Sequence, residues 1–174
     1  MMIKFTQKII VLTSLFFVLL PITQASTSEL SCGTPPERIY LLRHTEQVDN
    51  TGNSPLSEEG HARAKALIDV IGNDAIQTIY TTESIRTVET ATPLASHKGI
   101  KIQQIPRVKY DKLMSEICNN NSGKTIVVVG QWGNLKVIIP NLGVEFEYPD
   151  YGKLFVVDFK DGKPSLTTEW FGNK

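Results

Sequence analysis

The chain has 174 residues, 18 basic and 18 acidic side chains, three histidines and two cysteines. That length suits one domain, which would bury roughly two-thirds of its unfolded surface. The balanced charge excludes the basic footprint of a nucleic-acid-binding protein. His44, His61 and His97 show no metal-ligand spacing with cysteines or carboxylates, so neither a metal nor another cofactor is expected.

The N-terminal segment stands apart. Residues 1–8 carry Lys4 and Lys8 and no acid, residues 9–20 are mostly apolar, and Pro21-Ile22-Thr23-Gln24-Ala25 ends in a small residue suited to cleavage. The pattern predicts a secretory signal peptide over 1–25, with export to a periplasm or the medium and no stable membrane span after cleavage. An uncleaved anchor is the alternative, against which the apolar run is short. Cys32 lies too far from that run, behind Glu29, for a lipoprotein signal. Without Lys4 and Lys8 the balance is 16 basic against 18 acidic residues, a net charge of −2.

A polar lead-in over 26–37, with Pro35-Pro36, precedes a single domain over 38–174. Short apolar runs predict strands over 39–43, 75–80, 100–105, 125–130, 154–159 and 165–170. Amphipathic stretches alternate with them, which argues for crossover units and an α/β fold. The expectation is a three-layer sandwich: a mainly parallel central sheet, helices on both faces, and a C-terminal β-hairpin. Asp161-Gly162 supplies the hairpin turn.

Ser57 caps the first predicted helix, Glu58 and Glu59 favour its positive end, and Ala64, Leu67, Ile68 and Ile71 form its apolar stripe up to Gly72-Asn73. A second helix is expected over 83–97, kinked or divided at Pro93. A third covers 110–117 and a fourth 134–139, ahead of Pro140. Cys32 and Cys118 each stand six or seven residues before a predicted strand. If those strands are parallel neighbours, their leading ends lie close and a disulfide is expected in an oxidising compartment. Two unpaired buried thiols are the alternative.

The chemistry converges at one edge of such a sheet. The first strand ends in Arg43-His44, and ligands in open α/β sheets bind outside the carboxyl ends of strands. The second is followed by Thr81-Thr82-Glu83-Ser84-Ile85-Arg86, where Arg86 and free backbone N–H groups can meet an anion. The run Ile126-Val127-Val128-Val129 ends in Gly130-Gln131. Two guanidinium groups, an imidazole and an amide around one cleft suit a phosphoryl group.

Four blocks resemble the histidine phosphatase superfamily, the phosphoglycerate-mutase-like fold, and within it the short phosphohistidine-phosphatase-like branch. They are Ile39-Tyr40-Leu41-Leu42-Arg43-His44-Thr45-Glu46, then Leu56-Ser57-Glu58-Glu59-Gly60-His61-Ala62-Arg63-Ala64, then Ile79 to Ala91, and Thr125 to Gly130. Tyr151-Gly152-Lys153-Leu154-Phe155-Val156-Val157 looks like that branch as well. The resemblance implies that His44 is the nucleophile, forming a transient phosphohistidine, and that Arg43 and Arg86 hold the phosphoryl oxygens.

The family carries a second histidine after the late strand, where this chain has Gln131 in Gly130-Gln131-Trp132-Gly133. An amide donates a hydrogen bond but carries no charge. Bonds to charged groups contribute roughly 1.5–3 kcal/mol against about 1 for a neutral pair, so turnover slowed by about ten- to a few-hundredfold is expected. Candidate proton donors are Glu46, from the Arg-His block, and Asp111; for both a solvated surface role is the alternative. His61 reads as a solvated first-turn residue and His97 as a charge partner at a helix C-terminus. Trp132 reads either as a pocket wall or as core packing, and residues 50–55 as a mobile loop over the cleft.

Two functions from different classes follow. One is an exported phosphatase acting on a phosphorylated small molecule or phosphosugar through His44, with weakened activity. The other is a non-catalytic pseudophosphatase that binds a phosphorylated or anionic ligand in the retained pocket. Gln131 favours the second reading; Arg43, His44 and Arg86 favour the first. Oligomeric state is not legible.

Overall fold

The computed structural model describes residues 34–173. The expected signal peptide, most of the lead-in and Cys32 lie outside them, so the Cys32–Cys118 pairing is not described.

Six strands form one sheet: β1 (Arg38–Arg43), β2 (Ile76–Thr81), β3 (Ile102–Gln104), β4 (Thr125–Gly130), β5 (Lys153–Lys160) and β6 (Lys163–Trp170). Their spatial order is β3-β2-β4-β1-β5-β6. The pairings β1–β4, β2–β4 and β2–β3 are parallel, whereas β1–β5 and β5–β6 are antiparallel. Four helices alternate with the strands: α1 (Glu58–Ile71), α2 (Ile85–Lys98), α3 (Tyr110–Asn120) and α4 (Trp132–Asn141). This is the expected three-layer α/β sandwich with its terminal hairpin. Among the described residues no helix is long and apolar enough to cross a membrane.

Strand alternation assigns each buried side chain to one of two cores. Ile39 and Leu41 of β1, Ile126 and Val128 of β4, and Phe155 and Val157 of β5 face α3 and α4, meeting Leu113, Ile117, Leu135 and Ile138. Tyr40 and Leu42, Val127 and Val129, and Leu154 and Val156 face α1 and α2, meeting Leu67, Ile71, Ala91 and Leu94. Central strands buried on both faces read as unbroken apolar runs, which is why β1 and β4 were visible in the sequence.

Local chemistry matches the expected caps and turns. Gly60 N donates to the Ser57 side chain at 3.1 Å, closing the start of α1. Asp161 and Gly162 both have positive φ, 52° and 73°, as a tight hairpin turn requires.

Three boundaries differ from the sequence reading. Pro93 lies inside α2 without dividing it; Ala91, Leu94 and Ala95 are buried around it, and that packing offsets the lost helix bond. The helix α4 runs from Trp132 to Asn141, with Gln131 O accepting from Asn134 N and Leu135 N at its start and Pro140 inside its last turn. The strand β3 is only three residues long, an edge strand paired with Ile79, Tyr80 and Thr81 alone.

The connections place the site. The chain leaves β1 through α1 on one face and leaves β4 through α4 on the other, although β1 and β4 are neighbours. Connections diverging from adjacent parallel strands open a crevice at their carboxyl ends. Arg43 is in register with Gly130 there, and His44 N donates to Gly130 O at 3.0 Å just beyond.

Candidate functional site

His44 stands at the mouth of that crevice and is only 3% exposed. Its Nδ1 lies 2.8 Å from Thr45 O, and a carbonyl can only accept, so Nδ1 carries the proton. Arg86 Nε donates to His44 Nε2 at 3.1 Å, which requires a bare lone pair on that nitrogen. The two bonds together assign one neutral tautomer. Burial lowers the His44 pKa from 6.5 to about 4, opposed by the bond to Thr45 and reinforced by the positive fields of Arg43 and Arg86.

The turn after His44 is held from two sides. Thr45 N donates to Thr90 Oγ1 at 3.1 Å, and Thr90 Oγ1 donates to Arg86 O at 2.7 Å. One buried threonine thus ties the imidazole's turn to the helix that carries Arg86. On the other side Thr45 Oγ1 donates to Gly60 O at 2.8 Å. A Cβ on Gly60 would stand 2.0 Å from Glu46 O, so only glycine lets α1 approach this turn.

Arg43 reaches the cleft from the end of β1. Its Nη1 and Nη2 donate weakly to Tyr148 Oη (3.4 Å) and Tyr151 Oη (3.3 Å), and its guanidinium lies 4.3 Å from the Tyr151 ring centroid. Its Nε is buried with no hydrogen-bond partner among the described residues. The Tyr151 ring also packs at 5.8 Å from the imidazole. Arg86 is buried, and burial is the main cause that lowers its pKa, with Arg107 next; the Tyr151 hydroxyl opposes this and Arg43 adds to it. Both guanidinium groups therefore act on one neutral imidazole and repel each other, a repulsion that a bound anion would relieve.

The loop 50–55 closes against α2. Gly52 O accepts from Arg86 Nη1 at 3.1 Å, and Asn53 Oδ1 accepts from Ile85 N at 3.0 Å. The loop thus orients the second guanidinium. Gln131 follows β4, and its Nε2 donates to Ser84 Oγ at 2.7 Å. The amide spans the starts of α4 and α2 beside the crevice.

The two carboxylates nominated as proton donors are not brought to the imidazole. Glu46 Oε1 is held by Arg63 Nε at 2.7 Å, while Glu46 Oε2 is buried without a partner among the described residues. Asp111 is exposed in the first turn of α3 and makes no bond to His44, Arg43 or Arg86. Glu46 O accepts from Ser57 N at 2.9 Å, which packs the turn after Thr45 against the start of α1. Asp111 itself faces solvent, while Leu113 of the same turn enters the core. His61 and His97 are exposed, the latter in the last turn of α2.

Three contributors escaped the sequence reading. Tyr148 and Tyr151 are remote in sequence from Arg43, although Tyr151 stands inside a family-like block. Thr90 has no chemical signature beyond standing four residues after Arg86. Trp132 is both exposed and packed: its ring lies 4.9 Å from Tyr148 and 6.0 Å from Phe146, forming an aromatic wall next to Arg43's partner.

Known proteins share this fold. A family model for the histidine phosphatase superfamily (branch 1) matches residues 39–109. Among solved structures, a putative phosphohistidine phosphatase SixA from Agrobacterium tumefaciens is 19% identical, with a TM-score of 0.61 over 80% of this chain and 99% of that one. Phosphoserine phosphatase from Entamoeba histolytica, solved with 3-phosphoglyceric acid, is 16% identical, with a TM-score of 0.58 over 79% and 97%. The mycobacterial glucosyl-3-phosphoglycerate phosphatase, solved with inorganic phosphate, is 13% identical, with a TM-score of 0.61 over 78% and 97%. At these identities the structures bear on the fold alone, and no curated protein matches the sequence. The matched segment, running from the first core residue of β1 through His44 and Arg86 to the loop after β3, is similar to the histidine phosphatase superfamily.

Proposed function

We propose that the protein is a phosphomonoesterase that works through a phosphohistidine on His44. The observation that carries this reading is the bare Nε2 of His44, met by Arg86 Nε and within the field of Arg43, while Nδ1 is tied to Thr45 O. The Nε2 lone pair attacks phosphorus, the phosphorus–oxygen bond of the ester breaks, and the departing alkoxide takes a proton from water. A water molecule then attacks the phosphohistidine, releasing inorganic phosphate and restoring the neutral imidazole. Splitting one displacement into two lowers each barrier. Arg43 and Arg86 balance the negative charge spread over the phosphoryl oxygens in both steps.

The low pKa makes this nucleophile independent of pH over a wide range. Nitrogen-15 NMR of the imidazole is expected to show Nε2 unprotonated down to about pH 4; titration near the ordinary 6.5 would contradict the site described above. The same shift links pH to stability. Between about 6.5 and 4 the unfolded chain binds a proton that the folded chain refuses, so His44 costs stability as pH falls through that window.

Gln131 separates the enzyme from the pseudophosphatase reading, since it stands where the family resemblance expects a second histidine. As an uncharged donor bonded to Ser84 it weakens the cradle without removing it. Gln131→His is expected to raise kcat at least tenfold on an aryl phosphate. An unchanged rate would mean that Gln131 does not stand in for the family histidine.

We also propose that the domain is exported, on the pattern of residues 1–25, and that Cys32 pairs with Cys118. An extracytoplasmic setting favours phosphosugars or other phosphate esters outside the cytoplasm. A bridge closing so long a loop contributes about 4 kcal/mol in the chain-entropy model. Expressed with its leader in a bacterial host, the protein is expected in the periplasmic fraction, beginning at Ser26 and holding no thiol titratable in denaturant. Cytoplasmic retention, or two free thiols in the exported protein, would contradict this.

A further inference from the structure

The cleft has a third guanidinium that the proposed reaction does not use. Arg107 lies three residues past β3, on the same edge of the sheet as Arg43, His44 and Gln131. Its backbone is gripped on both sides by side chains from the cleft's own walls. Arg107 N donates to Glu83 Oε2 at 2.7 Å, from the segment that opens α2 and carries Arg86. Arg107 O accepts from Asn134 Nδ2 at 2.7 Å, from the first turn of α4, where Asn134 is buried. A loop position fixed through both peptide groups has little freedom, whatever side chain it bears.

The side chain is another matter. Among the described residues the Arg107 guanidinium has no hydrogen-bond or ion-pair partner, and the residue is exposed. The Glu83 carboxylate is engaged by the Arg107 backbone rather than by its guanidinium. The positive field of Arg107 nevertheless acts on Arg86, second only to burial in lowering its pKa. A free planar fork of donors therefore stands at the rim within electrostatic reach of the phosphate cradle, on a backbone pinned to both walls. A planar guanidinium binds carboxylate and phosphate groups in paired, charge-assisted bonds.

Resting on the phosphomonoesterase reading, we propose that Arg107 is a specificity-determining residue that binds a second anionic group of the substrate, selecting phosphomonoesters that carry a carboxylate or a further phosphate beyond the ester. One anion occupies the space between Arg43 and Arg86, and the other pairs with Arg107 at the rim. Because the anchors of this loop are backbone atoms, replacing the side chain leaves the bonds from Glu83 and Asn134 in place.

The test measures binding separately from turnover, by calorimetry with phosphonates that the protein cannot hydrolyse. Phenylphosphonate supplies one anion; carboxyphenylphosphonates, with the carboxylate at each ring position, and benzene-1,4-diphosphonate supply two. Wild type is expected to bind at least one two-anion ligand more tightly than phenylphosphonate. In Arg107→Gln that preference is expected to fall about five- to tenfold, with Arg107→Lys restoring part of it. Which ligand gains most tells carboxylate from phosphate. If the variant weakens all ligands by one common factor, Arg107 acts only through its field on Arg86 and the proposal is wrong. It is equally wrong if wild type shows no preference. Failure of the phosphatase reading itself would appear elsewhere, as absent hydrolysis of phenyl phosphate by wild type, and would leave this binding comparison readable.

Discussion

His44→Ala is expected to abolish acid-labile phosphoenzyme and to lower kcat on an aryl phosphate by at least roughly 10³-fold, since removing a nucleophile removes the pathway rather than one contact within it. Inorganic phosphate should still bind, because Arg43 and Arg86 remain. The measurement pairs rapid-quench trapping of the phosphohistidine, stable to base and lost in acid, with steady-state hydrolysis. If wild type turns over no faster than the alanine variant while both bind phosphate, the pseudophosphatase reading replaces the enzyme. The surroundings of His44 also make the variant tolerable to the fold. The imidazole's side-chain bonds go to Thr45 O and Arg86 Nε, whereas the turn itself is held by Thr45, Thr90 and Gly60 through atoms that alanine leaves untouched. Its circular dichroism spectrum is expected to match wild type.

Arg86→Ala is expected to cost about 10²- to 10⁴-fold in kcat/KM. The estimate takes two charge-assisted bonds to the transferring group at roughly 1.5–3 kcal/mol each. Arg86→Lys keeps the charge but loses the fork. It also loses the Nε–H that meets His44 and the Nη1 that meets Gly52 O, so it should recover only part of the rate. A second readout separates this role from mere packing. Arg86 is one of two positive fields that depress the His44 pKa, so the alanine variant should titrate at higher pH than wild type by NMR. A variant that loses activity without any movement of that titration would place Arg86 away from the imidazole.

The two expectations differ in how early they could be framed. His44 and Arg43 announce themselves, because an unbroken apolar run that stops at Arg-His reports a buried strand delivering charge to a sheet edge. Arg86 was legible through its place at the start of a helix after the second strand. The partners of these residues were not. Tyr148 and Tyr151 reach Arg43 from more than a hundred positions away, and Thr90 acts through a backbone N–H that any residue at position 45 except proline would offer. Glu46 shows the converse: it stands two residues from His44, yet its carboxylate is bonded by Arg63 of α1.

The sequence by itself determined the class of fold, the two apolar layers and the two polar tips of the central strands, since these rest on periodicity and on local turn chemistry. It also determined the α1 cap at Ser57 and the hairpin at Asp161-Gly162, each a matter of a few adjacent residues. Only the tertiary structure decided the tautomer of His44, the fate of the two candidate carboxylates and the anchoring of Arg107 between α2 and α4. Those features depend on which side chains the crossovers set opposite one another across the β1–β4 crevice. That juxtaposition is a non-local property, fixed by the order of strands in space rather than along the chain.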